Sequence, residues 1–211
     1  MIKEFEKRLL SSIILIPISI FFIIKGSIFF VFFLSILFLA TSYEWVKMSK
    51  KNDLVKFSGV ICLFLSFYTA FEIRQNFNFK DFLFIITVCI FTDIGGYIFG
   101  KTFNGPKLTS ISPKKTYAGV FGGFLLSLVA GLLFNHYLVI DEEIFKDDLI
   151  LFILILFISL VSQIGDLIIS FFKRKAKIKD TGKIIPGHGG LLDRIDGMIF
   201  VFPICYLITI S

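Results

Sequence analysis

Apolar and polar positions alternate along this chain in long blocks. The apolar blocks are continuous runs of Ile, Leu, Phe and Val without the period-two alternation of a half-buried strand, and short polar segments separate them. A run of about 20 apolar residues can cross a bilayer as a helix, and lipid leaves backbone groups no partner outside a helix or a closed barrel. We therefore predict an all-α, polytopic transmembrane helical bundle of about seven spans, at 9–25, 28–46, 55–71, 81–100, 118–137, 149–172 and 197–211.

Basic residues occur at alternate ends of the predicted spans. The N-terminus and the segments 47–56, 101–117 and 173–194 hold most of the Lys and Arg residues, whereas the segment 141–148 is acidic. Cytoplasmic loops of membrane proteins carry the excess of Lys and Arg. The N-terminus is therefore predicted to be cytoplasmic and the C-terminus to lie outside.

Composition supports a membrane protein and narrows its partners. Apolar residues make up 56% of the 211, with 29 Phe, which is more apolar surface than one soluble core would bury. The net charge of +6 is concentrated on the predicted cytoplasmic side, where it favours anionic substrates over nucleic acid, for which no soluble domain is available. Cys62, Cys89 and Cys205 stand singly in apolar runs, so neither a disulfide framework nor a zinc site is expected.

The two halves of the chain differ in their polar content. Residues 1–90 are predicted to be transmembrane scaffold, and residues 91–211 to be the catalytic region of the same membrane domain. Glu44 stands between Tyr43 and Trp45 where the second span would leave the membrane. We interpret it as an interfacial residue without a chemical role, because an aromatic belt explains its neighbours.

Acidic residues occur inside two of the predicted spans. Asp93 shares a helix face with Gly96 and Gly100, a glycine spacing that suits close helix packing. The sixth span has a polar stripe on an apolar helix, made of Ser159, Gln163, Asp166, Ser170 and Lys173 or Arg174. Asp93 and Asp166 each lie about seven residues, or roughly 10 Å, from the basic end of their span. We expect the two carboxylates to share one cytoplasm-facing cavity, because a lone acid in hydrocarbon needs a partner or water.

The polar loop before the fifth span combines hydroxyl groups with ammonium groups. Its residues are Ser110, Ser112, Lys114, Lys115 and Thr116. A helix N-terminus offers free N–H groups to a phosphate, so the loop is a candidate phosphate site. A second interpretation is a positively charged anchor in which Ser112 is the N-cap and Pro113 lies in the first helical turn.

The densest polar segment follows the sixth span. It begins with a basic run at Lys173 and ends in a glycine- and aspartate-rich turn over 187–197. The glycines let backbone approach a ligand closely, and Asp193 and Asp196, three residues apart, can point the same way at a helix start. Hard cations such as Mg²⁺ bind carboxylate oxygens together with substrate phosphates. Asp166, Asp193 and Asp196 are therefore candidate metal ligands of a nucleotidyl- or phosphoryl-transfer site.

This segment and two shorter ones match a family signature. In the segment from the end of the sixth span onward, the residues that match the signature are Ser170, Lys173, Arg174, Lys179, Asp180, Gly182, Pro186, His188, Gly189, Gly190, Asp193, Arg194 and Asp196. With these residues the chain resembles the phosphatidate cytidylyltransferases, or CDP-diacylglycerol synthases. Further likeness at 93–100 and 112–116 extends the resemblance over roughly 92–203. One departure is at 117–119, which read Tyr-Ala-Gly where the family usually has Trp-Glu-Gly.

The resemblance implies an enzyme that transfers the cytidylyl group of CTP to phosphatidate, producing CDP-diacylglycerol and pyrophosphate for phospholipid synthesis. It implies a bacterial cytoplasmic (inner) membrane protein whose active site faces the cytoplasm. The implied cofactor is Mg²⁺, with room for a monovalent cation such as K⁺ beside it. A homodimer is left open, as are the acyl-chain preference and the discrimination between CTP and dCTP.

The same resemblance assigns roles to individual residues. Asp166 and Asp193, joined by Asp196, are the implied metal ligands. The implied catalytic set is Asp166, Lys173, His188, Asp193, Arg194 and Asp196. The implied contacts to the phosphates of CTP and phosphatidate are Ser112, Lys114, Lys115, Thr116, Ser170, Arg174, Lys179, Asp180, Gly189 and Gly190. For His188 an acid–base role stands beside a positioning role, which its glycine neighbours favour.

Two other classes of protein also use acids inside a membrane. A CDP-alcohol phosphatidyltransferase needs a second pair of aspartates on the helix after Asp196-Gly197, and no acid follows there. A transporter of anionic substrates is the other alternative. It predicts inverted repeats and polar residues through the full depth of the membrane, whereas the polar groups here cluster toward one side.

Overall fold

The computed structural model of the chain describes residues 2–50, 52–76, 78–103, 105–109, 112–138, 147–185 and 189–210. These residues form eight α-helices, and no strand occurs among them. The helices are α1 Ile2–Lys25, α2 Ser27–Met48, α3 Asp53–Asn76, α4 Phe79–Phe103, α5 Tyr117–Leu138, α6 Asp148–Lys175, α7 Leu192–Ile195 and α8 Met198–Ile210. The predicted all-α class is confirmed.

Each of the seven apolar stretches is a helix, and the short helix α7 is an addition. Five helices, α2 to α6, are long and apolar enough to cross a membrane, as expected of an integral, polytopic helical protein. Of α1 and α8, only the shorter stretches Ile13–Lys25 and Met198–Ile208 qualify as apolar helix. The count of seven spans and the orientation of the termini stay predictions, and the acidic residues 141–146 lie outside the described residues.

Helices α4 and α5 pack backbone to backbone through glycines. A Cβ built on Gly95 would lie 2.2 Å from the carbonyl oxygen of Gly122, and one on Gly119 would lie 2.7 Å from that of Gly96. A Cβ on Gly96 itself would make only an ordinary contact, at 3.7 Å. The close approach expected of small residues is therefore present, but Gly95 and Gly119 enforce it more strongly than Gly96.

A buried apolar cluster joins α2, α3, α6, α7 and α8. Its members are Trp45, Leu63, Ile169, Leu192 and Ile199. Leu192 is fully buried, so α7 is held against the C-terminal half of α2 although the two are far apart in sequence. The indole nitrogen of Trp45 also donates to the carbonyl oxygen of Val55 at 3.1 Å, which fixes the turn between α2 and α3.

Candidate active site

A polar cavity of about 410 Å³ lies among α4, α6, the N-terminal end of α5 and the segment around α7. Its polar and charged lining residues are Thr92, Asp93, Tyr97, Ser112, Lys114, Lys115, Thr116, Gln163, Asp166, Lys173, Asp180, Asp193, Arg194 and Asp196. Asp93 and Asp166 therefore share one cavity, as their matched depths predicted. Most of the implied phosphate and metal contacts converge there too.

Asp166, on α6, has a different partner at each carboxylate oxygen. The Ser170 hydroxyl, one turn further along the helix, donates to Oδ1 at 3.2 Å. The Lys115 ammonium lies 2.6 Å from Oδ2 and also donates to the carbonyl oxygen of Gln163 at 3.3 Å. Lys115 thus connects the loop before α5 to α6.

Asp193, in α7, is arranged in the same way. Its Oδ2 accepts hydrogen bonds from the backbone N–H groups of Thr181 and Gly190, at 2.9 and 3.0 Å. Its Oδ1 faces the Lys173 ammonium at 3.1 Å. The backbone holds one oxygen, and the other is directed at a cation.

Asp196 completes the set of acids around Lys173. Its Oδ1 accepts the backbone N–H of Gly197 at 3.0 Å, and its Oδ2 lies 3.7 Å from the Lys173 ammonium. Burial raises the pKa of the Asp196 carboxyl well above its usual range, the negative charge of Asp166 adds to this, and Lys173 opposes it. Lys173 is itself buried, so oxygens of Asp193 and Asp196, rather than water, surround its ammonium group.

The loop before α5 contributes both side chains and a helix cap. The Thr116 hydroxyl accepts the backbone N–H of Gly119 at 3.1 Å, so Thr116 caps α5, which begins at Tyr117. The interpretation of Ser112 as the N-cap is therefore wrong. Ser112 instead lines the cavity with Lys114, Lys115 and Thr116, in agreement with the phosphate-site interpretation of this loop.

Comparison with known proteins identifies the family. The sequence profile of the Cytidylyltransferase family matches residues 53–211. This chain belongs to that family. It is 36% identical over 207 residues to a phosphatidate cytidylyltransferase of Rickettsia bellii, with 96% of this chain and 89% of the relative covered. The enzyme of the same name from Rickettsia felis is 34% identical over 212 residues, covering 96% and 91% of the two chains.

A relative from another genus matches over a smaller share of its length. A phosphatidate cytidylyltransferase of Staphylococcus epidermidis is 34% identical over 181 residues, which cover 82% of this chain and 66% of the relative. The predicted family and the predicted enzyme class, a nucleotidyltransferase, are thereby confirmed.

Not every residue of the family signature lines the cavity. The Arg174 guanidinium donates to the carbonyl oxygen of Ile178 at 3.2 Å, beside the C-terminal end of α6. Lys179 is exposed and is absent from the cavity wall, whereas its neighbour Asp180 is part of it. Ser170 reaches the site through Asp166. His188 lies outside the described residues.

Two of the signature glycines, Gly189 and Gly190, lie against Asp193. Gly190 donates its N–H to Asp193 Oδ2. Gly189 has a φ of 91°, a left-handed conformation that favours glycine, and a Cβ there would lie 3.2 Å from the same oxygen. Both positions are therefore shaped to place backbone against a carboxylate of the family signature.

The acids of the cavity are suited to a hard cation completed by other oxygens. Within the described part of the chain, no group of three His, Cys, Asp or Glu side chains is arranged to hold a metal ion. However, Asp166, Asp193 and Asp196 each direct one oxygen at an ammonium group, so these oxygens already face a positive charge. Mg²⁺ commonly takes one or two carboxylates together with water and substrate phosphates. The donor chemistry therefore fits.

The burial of Glu44 contradicts the interpretation of this residue as an interfacial one. Its side chain is only 1% exposed. It accepts hydrogen bonds from the Thr181 hydroxyl and from the backbone N–H groups of Leu191 and Leu192, at 2.9 to 3.0 Å. Its sequence neighbours are typical of a membrane interface, so no local signal distinguished it.

Proposed function

We propose that this member of the family transfers the cytidylyl group of CTP to phosphatidate, releasing pyrophosphate and forming CDP-diacylglycerol. The observation that carries the proposal is the shared arrangement of Asp166, Asp193 and Asp196. Each has one oxygen tethered by a neutral donor and the other directed at a lysine in a single cavity. Such a cavity can bring polyanions together because it offers both carboxylates for a cation and ammonium groups for phosphates.

The reaction forms one bond and breaks one. A phosphate oxygen of phosphatidate attacks the α-phosphorus of CTP, and the bond from that phosphorus to the oxygen of the β-phosphate breaks. The phosphate oxygen of phosphatidate is already anionic at neutral pH, so no strong base is needed. The main barriers are the repulsion between two anions and the alignment of the attack.

The basic residues of the cavity reduce the repulsion between the two anionic substrates. Lys115 and Lys173 neutralise carboxylates in the structure described above, and the same ammonium groups can bind substrate phosphates. Lys114 and Arg194 line the cavity as further cations. Asp166 and Asp193, with Asp196, would hold Mg²⁺, which when bound offsets the charge of the phosphates and of the leaving pyrophosphate. A monovalent cation such as K⁺ beside it is part of the same proposal.

An apolar groove supports a lipid substrate. It has a volume of about 500 Å³ between α5 and α6 and is lined only by Phe, Leu and Ile side chains. On α5, Val120 of the polar cavity is one turn from Phe124 of the groove, and on α6 Gln163 is one turn from Leu160. A lipid whose phosphate enters the cavity would thus find apolar surface for an acyl chain one helical turn away.

The membrane arrangement is part of the proposal. The basic ends of the helices favour a bacterial cytoplasmic membrane protein with the cavity open to the cytoplasm, where CTP is available. Seven spans and a cytoplasmic N-terminus remain predictions from the sequence, and a homodimer stays open.

The proposal is tested with the full chain purified in detergent. We expect Mg²⁺-dependent conversion of radiolabelled CTP and phosphatidate into labelled CDP-diacylglycerol, with pyrophosphate released in equal amount. Replacing phosphatidate by CDP-diacylglycerol plus an alcohol tests the phosphatidyltransferase alternative. Absence of product from CTP and phosphatidate under every divalent cation would refute the proposed function.

A further inference from the structure

Glu44 is a buried carboxylate in a part of the chain for which neither the sequence nor the family suggested chemistry. It lies on α2, within the predicted scaffold and before residue 53, where the family match begins. Among the described residues, no Lys, Arg or His forms an ion pair with it. A buried carboxylate without a cation needs other strong donors.

Among the described residues, the donors to Glu44 come from the segment that bears the signature. The Thr181 hydroxyl and the Leu192 N–H donate to Oε2, each at 2.9 Å, and the Leu191 N–H donates to Oε1 at 3.0 Å. Leu191 is the N-cap of α7 and Leu192 is its first residue, and the Leu191 side chain makes no capping hydrogen bond. Glu44 therefore caps α7 from a helix nearly 150 residues earlier.

The same loop positions hold Asp193 from the other side. Thr181 donates its hydroxyl to Glu44 and its backbone N–H to Asp193 Oδ2, and Gly190, next to Leu191, donates its N–H to that oxygen as well. Glu44 and Asp193 thus both accept hydrogen bonds from the two segments around Thr181 and residues 190–192. Both oxygens of Glu44 are used in these bonds, whereas Asp193 keeps Oδ1 directed at Lys173 in the cavity.

The contact leaves no free space. A Cβ on Gly182 would lie 2.4 Å from Glu44 Oε1, and a Cβ on Gly190 would lie 2.5 Å from Oε2. Leu192 and Trp45 are buried in one apolar cluster beside the carboxylate. Because polar and apolar contacts enclose the same junction, a shift of the loop would break several of them together.

We propose that Glu44 is a positioning residue of the reaction, which holds residues 181 and 190–192 so that Asp193 presents one oxygen to the substrate cavity. This inference rests on the proposed function for its kinetic consequence but not for its structural one. The N-terminal region then contributes to the active site through the loop, without touching the substrate.

The structural consequence is tested by limited trypsin digestion of Glu44→Gln in detergent. Glutamine keeps the size of the side chain but turns one acceptor oxygen into a donor, which then faces N–H and O–H groups. Cleavage after the exposed residues Lys177 and Lys183 is expected to become at least about tenfold faster, with cleavage after exposed Lys107 unchanged. Glu72 accepts a hydrogen bond from Asn76 at the C-terminal end of α3, so Glu72→Gln is the matched control. Equal cleavage in wild type and Glu44→Gln would overturn the proposal.

The kinetic consequence is tested by a double-mutant cycle. Glu44→Gln is expected to lower kcat by about tenfold or more, because buried donors lose their acceptor. If Glu44 acts through Asp193, adding Glu44→Gln to Asp193→Asn should lower kcat by less than about twofold further. A full multiplicative loss in the double variant would contradict action through Asp193.

A milder pair of variants covers the case in which Glu44→Gln does not fold. Thr181→Val removes only the hydroxyl donor and keeps the backbone N–H that Asp193 accepts. It should give smaller changes in cleavage and kcat of the same sign, whereas Thr69→Val, whose hydroxyl donates to carbonyl oxygens of its own helix α3, should give none. Unchanged cleavage and kcat in Thr181→Val would overturn the proposal. If the wild-type chain forms no CDP-diacylglycerol, the proposed function fails, and the cleavage rates still decide whether Glu44 anchors the loop.

Discussion

The polar cavity and the Glu44 junction bind carboxylates in opposite ways. In the cavity, Asp166, Asp193 and Asp196 each leave one oxygen to a lysine ammonium. At the junction, both oxygens of Glu44 are taken by neutral N–H and O–H groups of one loop. The side chains of Asp166 and Lys115 are about a quarter exposed, whereas Glu44 is enclosed.

The difference separates exchangeable contacts from permanent ones. The Lys115–Asp166 pair is partly exposed, so a phosphate or a metal ion can replace one partner at modest cost while water shares the compensation. Lys173 and its two aspartates are buried, and there an incoming ligand has to supply the opposite charge itself. A buried carboxylate that accepts several backbone N–H groups has no such replacement, because breaking one bond leaves a buried group unpaired. The cavity is therefore suited to ligand exchange and the junction to holding a loop.

The largest effect is expected from removing charge in the cavity. Asp166→Asn and Asp193→Asn keep the side-chain shape and should each lower turnover by at least about 100-fold, the scale of a lost preorganised charge contact. The measurement is kcat for CDP-diacylglycerol formation by purified protein. Asp53→Asn is the matched control, because Asp53 pairs with Lys56 at the exposed start of α3, away from the cavity lining. Near-normal rates in correctly folded variants would show that neither acid has a catalytic role.

Two adjacent basic residues at the end of α6 give a sharper test. Lys173 is buried between Asp193 and Asp196, whereas Arg174 donates to a backbone carbonyl outside the cavity wall. Lys173→Gln should lower kcat by about tenfold or more and Arg174→Gln by less than about threefold, because Lys173 lines the cavity and Arg174 does not. Equal losses would show that the signature acts as one basic patch.

Crowding the junction displaces the loop without removing a reacting group. Gly190→Ala would bring a Cβ to 2.1 Å from the Thr181 hydroxyl oxygen, so the loop must shift although no reacting group is lost. Turnover should fall by about tenfold, as for Glu44→Gln, because Gly190 also holds Asp193, while the free energy of unfolding falls by about 1–3 kcal/mol, seen as a lower midpoint of thermal unfolding in detergent. Gly105→Ala, with its nearest neighbour at 3.6 Å, is the control. An unchanged midpoint for Gly190→Ala would show that the junction has room to relax.

Local patterns were sufficient for the helices and for much of the cavity. Continuous apolar runs predicted seven helical stretches, because a helix in lipid needs only length and apolar side chains. The depth of Asp93 and Asp166 predicted a shared cavity, because both acids lie equally far from the basic ends of their helices. Helical rise and periodicity are properties of the backbone, so they can be read without a partner.

Other assignments failed or stayed open because they depend on which elements meet. Thr116 rather than Ser112 caps α5, and that choice follows from where the loop turns after Lys115. Lys173 and Arg174 are equivalent in sequence, and only the packing of α6 against α7 directs one of them into the cavity. Gly95 rather than Gly96 meets α5 most closely, because the register between two helices is set by their mutual packing.

The sequence by itself determined a helical membrane protein, its family signature and the residue types of an anion-binding site, because these depend on hydropathy, periodicity and local spacing. Only the tertiary structure decided which oxygen of each aspartate faces a lysine and where Glu44 lies. The physical reason is that a charged residue at the end of a helix has the same local pattern whether it meets lipid headgroups or a distant loop. Contacts across more than 130 residues made Glu44 part of the enclosed junction that holds Asp193.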